Sequence, residues 1–320
     1  MHVAIGRPED TEAIVELLKN SLGESLMPKS SNYWNWKHIN NPFGKSPVLL
    51  SWDGTKLVGV RAFMRWNWQL ADKIYTSVRA VDTATHPNYQ GKGIFKKLTL
   101  ALVDECTAAG VDFVFNTPNG QSKPGYLKMG WKEAGNLPII VGLPALIPEL
   151  SRSGGNVSDV KRLLSHPGLE KLIEIHVKKA DKIITSLSPQ YLRWRYLDVP
   201  VASYHAIGVE ENENLVALAL FRLKAGRFGN ELRITDSFTM DRRAANKLGR
   251  ELKKFERNLK ARFITQSGLK ASDGHQLRRI LDIEIPRGPS VTVRSLALSD
   301  LSDLVNFNNW SPSLGDLELF

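Results

Sequence analysis

The feature that most constrains this chain is an internal repeat. Tyr33, Trp36, Leu57 and Phe63 are each met by a like residue 158 positions on, at Tyr191, Trp194, Leu215 and Phe221. Asp82-Thr83-Ala84-Thr85 is answered by Asp236-Ser237-Phe238-Thr239 after 154, and Lys97-Leu98 by Lys247-Leu248 after 150, an offset that still holds between Phe113 and Phe263. Chance rarely keeps such segments in step over this length, so the sequence predicts two copies of one domain. A chain of 320 residues is long enough for both.

Within a copy, residues 3–5 read as a short strand, and Pro8 opens a helix with Ala13, Ile14, Leu17 and Leu18 at helical spacing. Residues 48–52 and 57–68 read as strands joined at Asp53-Gly54, and residues 76–85 as a third. A glycine-rich loop then leads into a helix over 94–109, ended by Gly110, and a strand over 111–116. This order predicts an α+β fold, each copy a mixed central sheet flanked by helices. Ser and Gly crowd residues 151–156, which suggests domains over 1–150 and 166–320 with a linker over 151–165.

The copies differ at the loop. Eleven residues, 86–96 with two glycines, separate the matched threonine from Lys97 in the first copy, against seven without glycine, 240–246, in the second. Glycines free consecutive backbone N–H groups to point one way, and a following helix N-terminus adds its dipole, which together suit a phosphate or pyrophosphate. The P-loop pattern is absent, and Lys96 stands where a dinucleotide fingerprint needs its third glycine. Only the first copy can bind through this loop.

Here the chain resembles the GNAT family of acyl-CoA-dependent N-acyltransferases. The family loop Q/R-x-x-G-x-G/A is matched by Gln90-Gly91-Lys92-Gly93-Ile94-Phe95 until Phe95, which replaces a small residue. Asn119, Tyr126 and Gly130-Trp131 follow with the family's spacing, so the resemblance covers roughly residues 1–145, with the second copy as a degenerate GNAT-like domain. The resemblance implies acetyl-CoA as cosubstrate and no metal. It assigns pantetheine pairing and carbonyl polarisation to Thr83, Ala84 and Thr85, and the pyrophosphate to Gln90, Gly91, Lys92, Gly93, Ile94 and Phe95, with Lys96 a further source of charge. Tyr126 takes the place of a phenol that protonates the leaving thiolate, with packing beside Gly130 as the plainer reading. Asn119 would bond the pantetheine arm or cap a helix, and Ser122 lies beside it.

For the base, Asp82 is the charged candidate, although its repetition at Asp236 also suits a structural acceptor; the carboxylate of Phe320 is another. His86 reads as a turn residue, and Trp66 and Trp68 as core or interface. Lys and Arg number 43 against 33 acidic residues, a net charge of +10, but the basic residues are scattered pairs, so nucleic acid is not the expected partner. No apolar run could span a membrane, residues 1–10 lack a secretory pattern, and the lone Cys106 permits no intrachain disulfide, so a cytoplasmic protein is expected. The expected function is acetyl transfer to a primary amine of a small molecule or peptide, with self-association left open. Aminoacyl-tRNA-dependent peptidyl transfer and an inactive coenzyme A-binding module stand as alternatives.

Overall fold

The computed structural model describes residues 1–23, 28–143, 159–226, 229–256, 261–269, 282–286 and 288–317. The first half runs β1 (His2–Ile5), α1 (Thr11–Leu22), α2 (Ser31–His38), β2 (Val48–Asp53), β3 (Lys56–Leu70), β4 (Lys73–Thr85), α3 (Ile94–Ala108), β5 (Phe113–Asn116), α4 (Lys123–Lys128), β6 (Lys132–Asn136) and β7 (Ile139–Gly142). The second runs α5 (Val160–Leu164), α6 (Leu169–Lys178), β8 (Ile184–Thr185), α7 (Pro189–Tyr196), β9 (His205–Glu211), β10 (Asn214–Gly226), β11 (Gly229–Thr239), α8 (Arg242–Glu256), β12 (Phe263–Ser267), β13 (Ile283–Ile285), β14 (Ser290–Ser295) and α9 (Leu314–Leu317).

The repeat is visible in local structure. α2 and α7 start alike: the Ser30 side chain accepts from the Tyr33 N–H and the Ser188 side chain from the Tyr191 N–H, each satisfying one orphan donor of the first turn. α1 buries Ile14 and Val15 where α6 buries Leu172 and Ile173, again 158 residues apart. α3 buries Leu98 and Leu102 where α8 buries Leu248 and Leu252, at the offset of 150. The match fails at the start, where the place of β1 is taken by the helix α5.

Two sheets result. One has the order β1-β2-β3-β4-β5-β14-β6, with β8 added to β3, and the other has the order β13-β7-β12-β11-β10-β9. The first sheet carries α3 and α4 on one face, through Phe63, Leu98, Leu102, Val114 and Tyr126. Its other face packs on α1 at one end and on the second half at the other, where Trp66, Trp68, Phe113 and Phe115 meet Tyr191, Trp194 and Trp310. Trp66 and Trp68 are fully buried there, which is the interface role their spacing suggests.

The division at 150 and 166 needs correction, because the halves exchange strands. β7 leaves the first half to pair antiparallel with β12 and β13, while β14 returns from the second half to sit between β5 and β6. Neither exchange shows in the repeat, since a strand's partner depends on which edge is open and not on its own pattern. The 151–165 linker shrinks too: α5 lies inside it and buries Val160, Leu163 and Leu164 against α7 and β9. The segment 151–158 lies outside the described residues.

A polypeptide of residues 1–150 therefore lacks β14, the strand that bridges β5 and β6, and exposes the aromatic face. It should aggregate or elute as an unfolded species, whereas extending the polypeptide to the full 320 residues should give a cooperative melt. A soluble, cooperatively folding 1–150 fragment would show that the exchanged strand is dispensable.

Candidate active site

The site grows from a place where two parallel strands part. β4 and β5 pair only over Ser77–Arg79 and Phe113–Phe115. Beyond this β4 bulges: Arg61 faces Thr83, Ala62 faces Val81, and Asp82 is the extra residue, at φ +38°. The rest of β4, including Thr83, Ala84 and Thr85, keeps its bonds to β3 but turns a free edge to the gap. A bulge is a common way to end pairing and re-aim side chains beside a functional site.

The loop that follows opens onto α3. Gly91 and Gly93 both sit at φ +75°, left-handed positions that favour glycine. Gly91, Lys92 and Gly93 are exposed, and no side chain caps α3, whose first amides lack intrahelical partners. The second copy shows what closure looks like: the Asp241 carboxylate accepts from the Ala244 N–H and sets a negative charge at the start of α8. The gap beside β11 is walled by residues 311–313 and Asp316, with the Ser267 hydroxyl donating to the Pro312 carbonyl at 3.0 Å.

The other predicted residues take varied positions. Tyr126, on α4, is buried, its ring edge-on to Phe95 at 5.7 Å and to Trp131 at 5.2 Å, and its hydroxyl accepts a hydrogen bond from Arg61 Nη2 at 2.7 Å. Phe95 thus points at α4 and leaves the loop amides clear, so replacing the small family residue does not narrow the loop. The Lys92 ammonium lies over the Tyr89 ring at 4.5 Å, and Lys96 is exposed. Ile94 is buried against Gly59, where the helix and β3 approach closely. The Asn119 side-chain oxygen accepts from the Gln121 and Ser122 N–H groups and from the Ser122 hydroxyl, so both residues build the turn before α4. His86 likewise caps its own turn by accepting from the Asn88 N–H. Phe320 lies outside the described residues.

Asp82 is a correction. Lys37 Nζ lies 2.9 Å and His38 Nε2 2.8 Å from the same carboxylate oxygen. Burial would raise the Asp82 carboxyl, but Lys37 and His38 outweigh it and hold the group below the usual carboxylate range. A carboxylate held this way is a poor proton acceptor and serves to fix α2 against the bulge. His38 is kept neutral by burial. Its Nε2–H donates to Asp82, and Nδ1 then accepts from the Ser46 hydroxyl at 2.9 Å. Sequence reasoning missed Lys37 and His38. The signal was the repeat itself, since 158 residues on stand Arg195 and Tyr196, and Tyr196 donates to Asp236. It also missed Arg61, a charged residue inside the apolar stretch Leu57–Met64 of β3. Among the described residues no group of His, Cys, Asp or Glu could hold a metal ion, and no helix is long and apolar enough to cross a membrane.

Parted parallel strands, a bulge and open loop-to-helix amides thus meet at one place in the first half. Residues 3–134 match the family profile of the acetyltransferase (GNAT) domain. No curated protein matches the chain. A GCN5-related N-acetyltransferase from Anabaena variabilis shares the fold with a TM-score of 0.67 at 14% identity, over 92% of this chain and 73% of that one. A protein from Enterococcus faecalis, described as a probable N-acyltransferase, does so with a TM-score of 0.70 at 12% identity, over 94% and 74%. Eis1 from Mycobacterium abscessus aligns with a TM-score of 0.60 at 11% identity, over 96% and 76%. The likeness thus runs through both halves.

Replacing Asp82 with Asn leaves Lys37 buried without its counter-ion and should destabilise the protein by about 3 kcal/mol at neutral pH. Because the folded carboxyl is depressed below its ordinary 3.8, its contribution is complete above that value and is lost as pH falls toward the lower folded one. Denaturant titrations of wild type and Asp82→Asn should therefore begin to converge only below about pH 4 and draw closer as pH falls further. A difference that is independent of pH would refute the ion-pair role.

Proposed function

We propose that this chain is an acetyl-CoA-dependent N-acetyltransferase with one active site, in its first half, which transfers an acetyl group to a primary amine of a small molecule or peptide by direct attack in a ternary complex. The observation that carries this reading is the contrast between the two helix N-termini: that of α3 is uncapped by any side chain behind two left-handed glycines, and that of α8 is closed by Asp241. Acetyl-CoA supplies an activated carbonyl and a thiol leaving group. The amides of residues 91–95 hold its pyrophosphate, and the free β4 edge at Thr83, Ala84 and Thr85 pairs with its pantetheine arm and polarises the carbonyl. Tyr126 is the acid: a phenol is protonated at neutral pH and can deliver its proton to the departing sulfur. The lone, buried Cys106, whose thiol burial pushes up to about 11, suits a reducing cytoplasm and takes no part.

Calorimetry with acetyl-CoA should give one site per chain, and Gly93→Glu should abolish it by setting a like charge over the amides. Two equivalent sites, or unchanged binding in the variant, would refute the assignment of the loop. Binding of tRNA without acetyl-CoA would favour aminoacyl-tRNA-dependent peptidyl transfer, and acetyl-CoA binding with no thiol release to any amine would leave a coenzyme A-binding module.

Tyr126→Phe keeps the ring and removes the proton donor, so turnover should fall about 10- to 1,000-fold with cofactor affinity nearly unchanged. Turnover within about twofold of wild type would return Tyr126 to a packing role.

A further inference from the structure

Arg61 is 0% exposed, on the face of β3 that meets α3 and α4. Its guanidinium carbon lies 5.0 Å from the Phe63 ring centre and 5.4 Å from those of Phe95 and Tyr126. Nη2 donates to the Tyr126 hydroxyl at 2.7 Å, while Nε and Nη1 meet no partner among the described residues. A guanidinium buried among rings without a counter-ion is strongly unfavourable, since neither Coulomb attraction nor full hydrogen bonding offsets its lost hydration. The repeat shows that the fold does not require it. The position 158 residues on is Ala219, also 0% exposed, paired with Ile207 as Arg61 is paired with Leu49. The buried cation is therefore present in the copy with the open phosphate loop and replaced by a methyl group in the copy whose loop is lost.

We propose that Arg61 is the positioning residue of the transfer step, holding the Tyr126 oxygen and stabilising the phenolate that forms there. This rests on Tyr126 being the acid. Arg has donors and no acceptor, so the phenol oxygen accepts from Nη2 and its own hydrogen is directed elsewhere, free for the leaving sulfur. As the amine nitrogen bonds to the acyl carbon, the carbon–sulfur bond breaks and its electron pair stays on sulfur. The Tyr126 proton passes to that sulfur, and the negative charge left on the phenolate oxygen lies against a fixed guanidinium in a dry site, where such a donor acts most strongly. The phenolate regains a proton from the ammonium that the attack creates, which closes the cycle.

The test uses the full chain with Arg61→Met, close in length and apolar. Removing an unpaired buried charge should leave the melting temperature equal to or above that of wild type, and acetyl-CoA affinity by calorimetry within about threefold, while kcat with a responsive amine falls about 10- to 100-fold. Arg61→Lys should recover part of that loss, and adding Tyr126→Phe to Arg61→Met should lower kcat no further than about twofold below Tyr126→Phe alone. A lower melting temperature would make Arg61 structural and overturn the proposal, as would an unchanged kcat or multiplicative losses. An unaffected Arg61→Met with a slow Tyr126→Phe refutes the role of Arg61 alone; a silent Tyr126→Phe refutes the acid itself.

Discussion

Trp36 and Trp194 stack face to face at 4.5 Å with their planes 10° apart, and each indole N–H donates to the other's backbone carbonyl at 2.8 Å. Both are almost completely buried, so the pair removes two large apolar surfaces from water while leaving neither N–H unsatisfied. The bonds are reciprocal because the residues are equivalent: the contact lies on an approximate twofold axis relating α2 to α7, and it sets the two halves against each other through their repeated helices. Exchange of β7 and β14 then ties the two sheets through main-chain pairing. The halves fold as one body whose interior is the aromatic cluster of Trp66, Trp68, Phe113, Tyr191 and Trp310.

That frame lets the two copies diverge without losing the fold. Lys37, His38 and Asp82 correspond to Arg195, Tyr196 and Asp236, and in each copy the second residue of the helix pair bonds the carboxylate. The electrostatic setting differs. Asp82 is held low by the Lys37 ammonium, whereas burial and the nearby Asp316 carboxylate push Asp236 up to about 7. In the second half this place takes up the end of the described chain: Arg195 donates to the Gly315 carbonyl, and Arg79 of the first half donates to those of Asp316 and Leu317. One copy keeps an open gap and an open helix N-terminus, and the other uses the same geometry to bind its own polypeptide.

The sequence alone determined the repeat, its offsets, the order of strands and helices, the loop and its loss from the second copy, because each rests on local spacing: apolar periodicity, glycine at left-handed positions, and residues matched at constant distance. It also carried the likeness to the GNAT family, through six residues around Gly91 and the later Tyr126. What only the tertiary structure decided depends on partners distant in sequence. The exchange of β7 and β14 pairs each strand with partners in the other half of the chain. Asp82 changes from a possible base to an anchor because α2 brings Lys37 and His38 to it from 45 and 44 residues away. Asn119 and Tyr126 are indistinguishable as motif residues, yet one completes a turn and the other meets Arg61 across 65 residues. A side chain's chemistry is fixed by burial and by the groups facing it, and a linear pattern records neither.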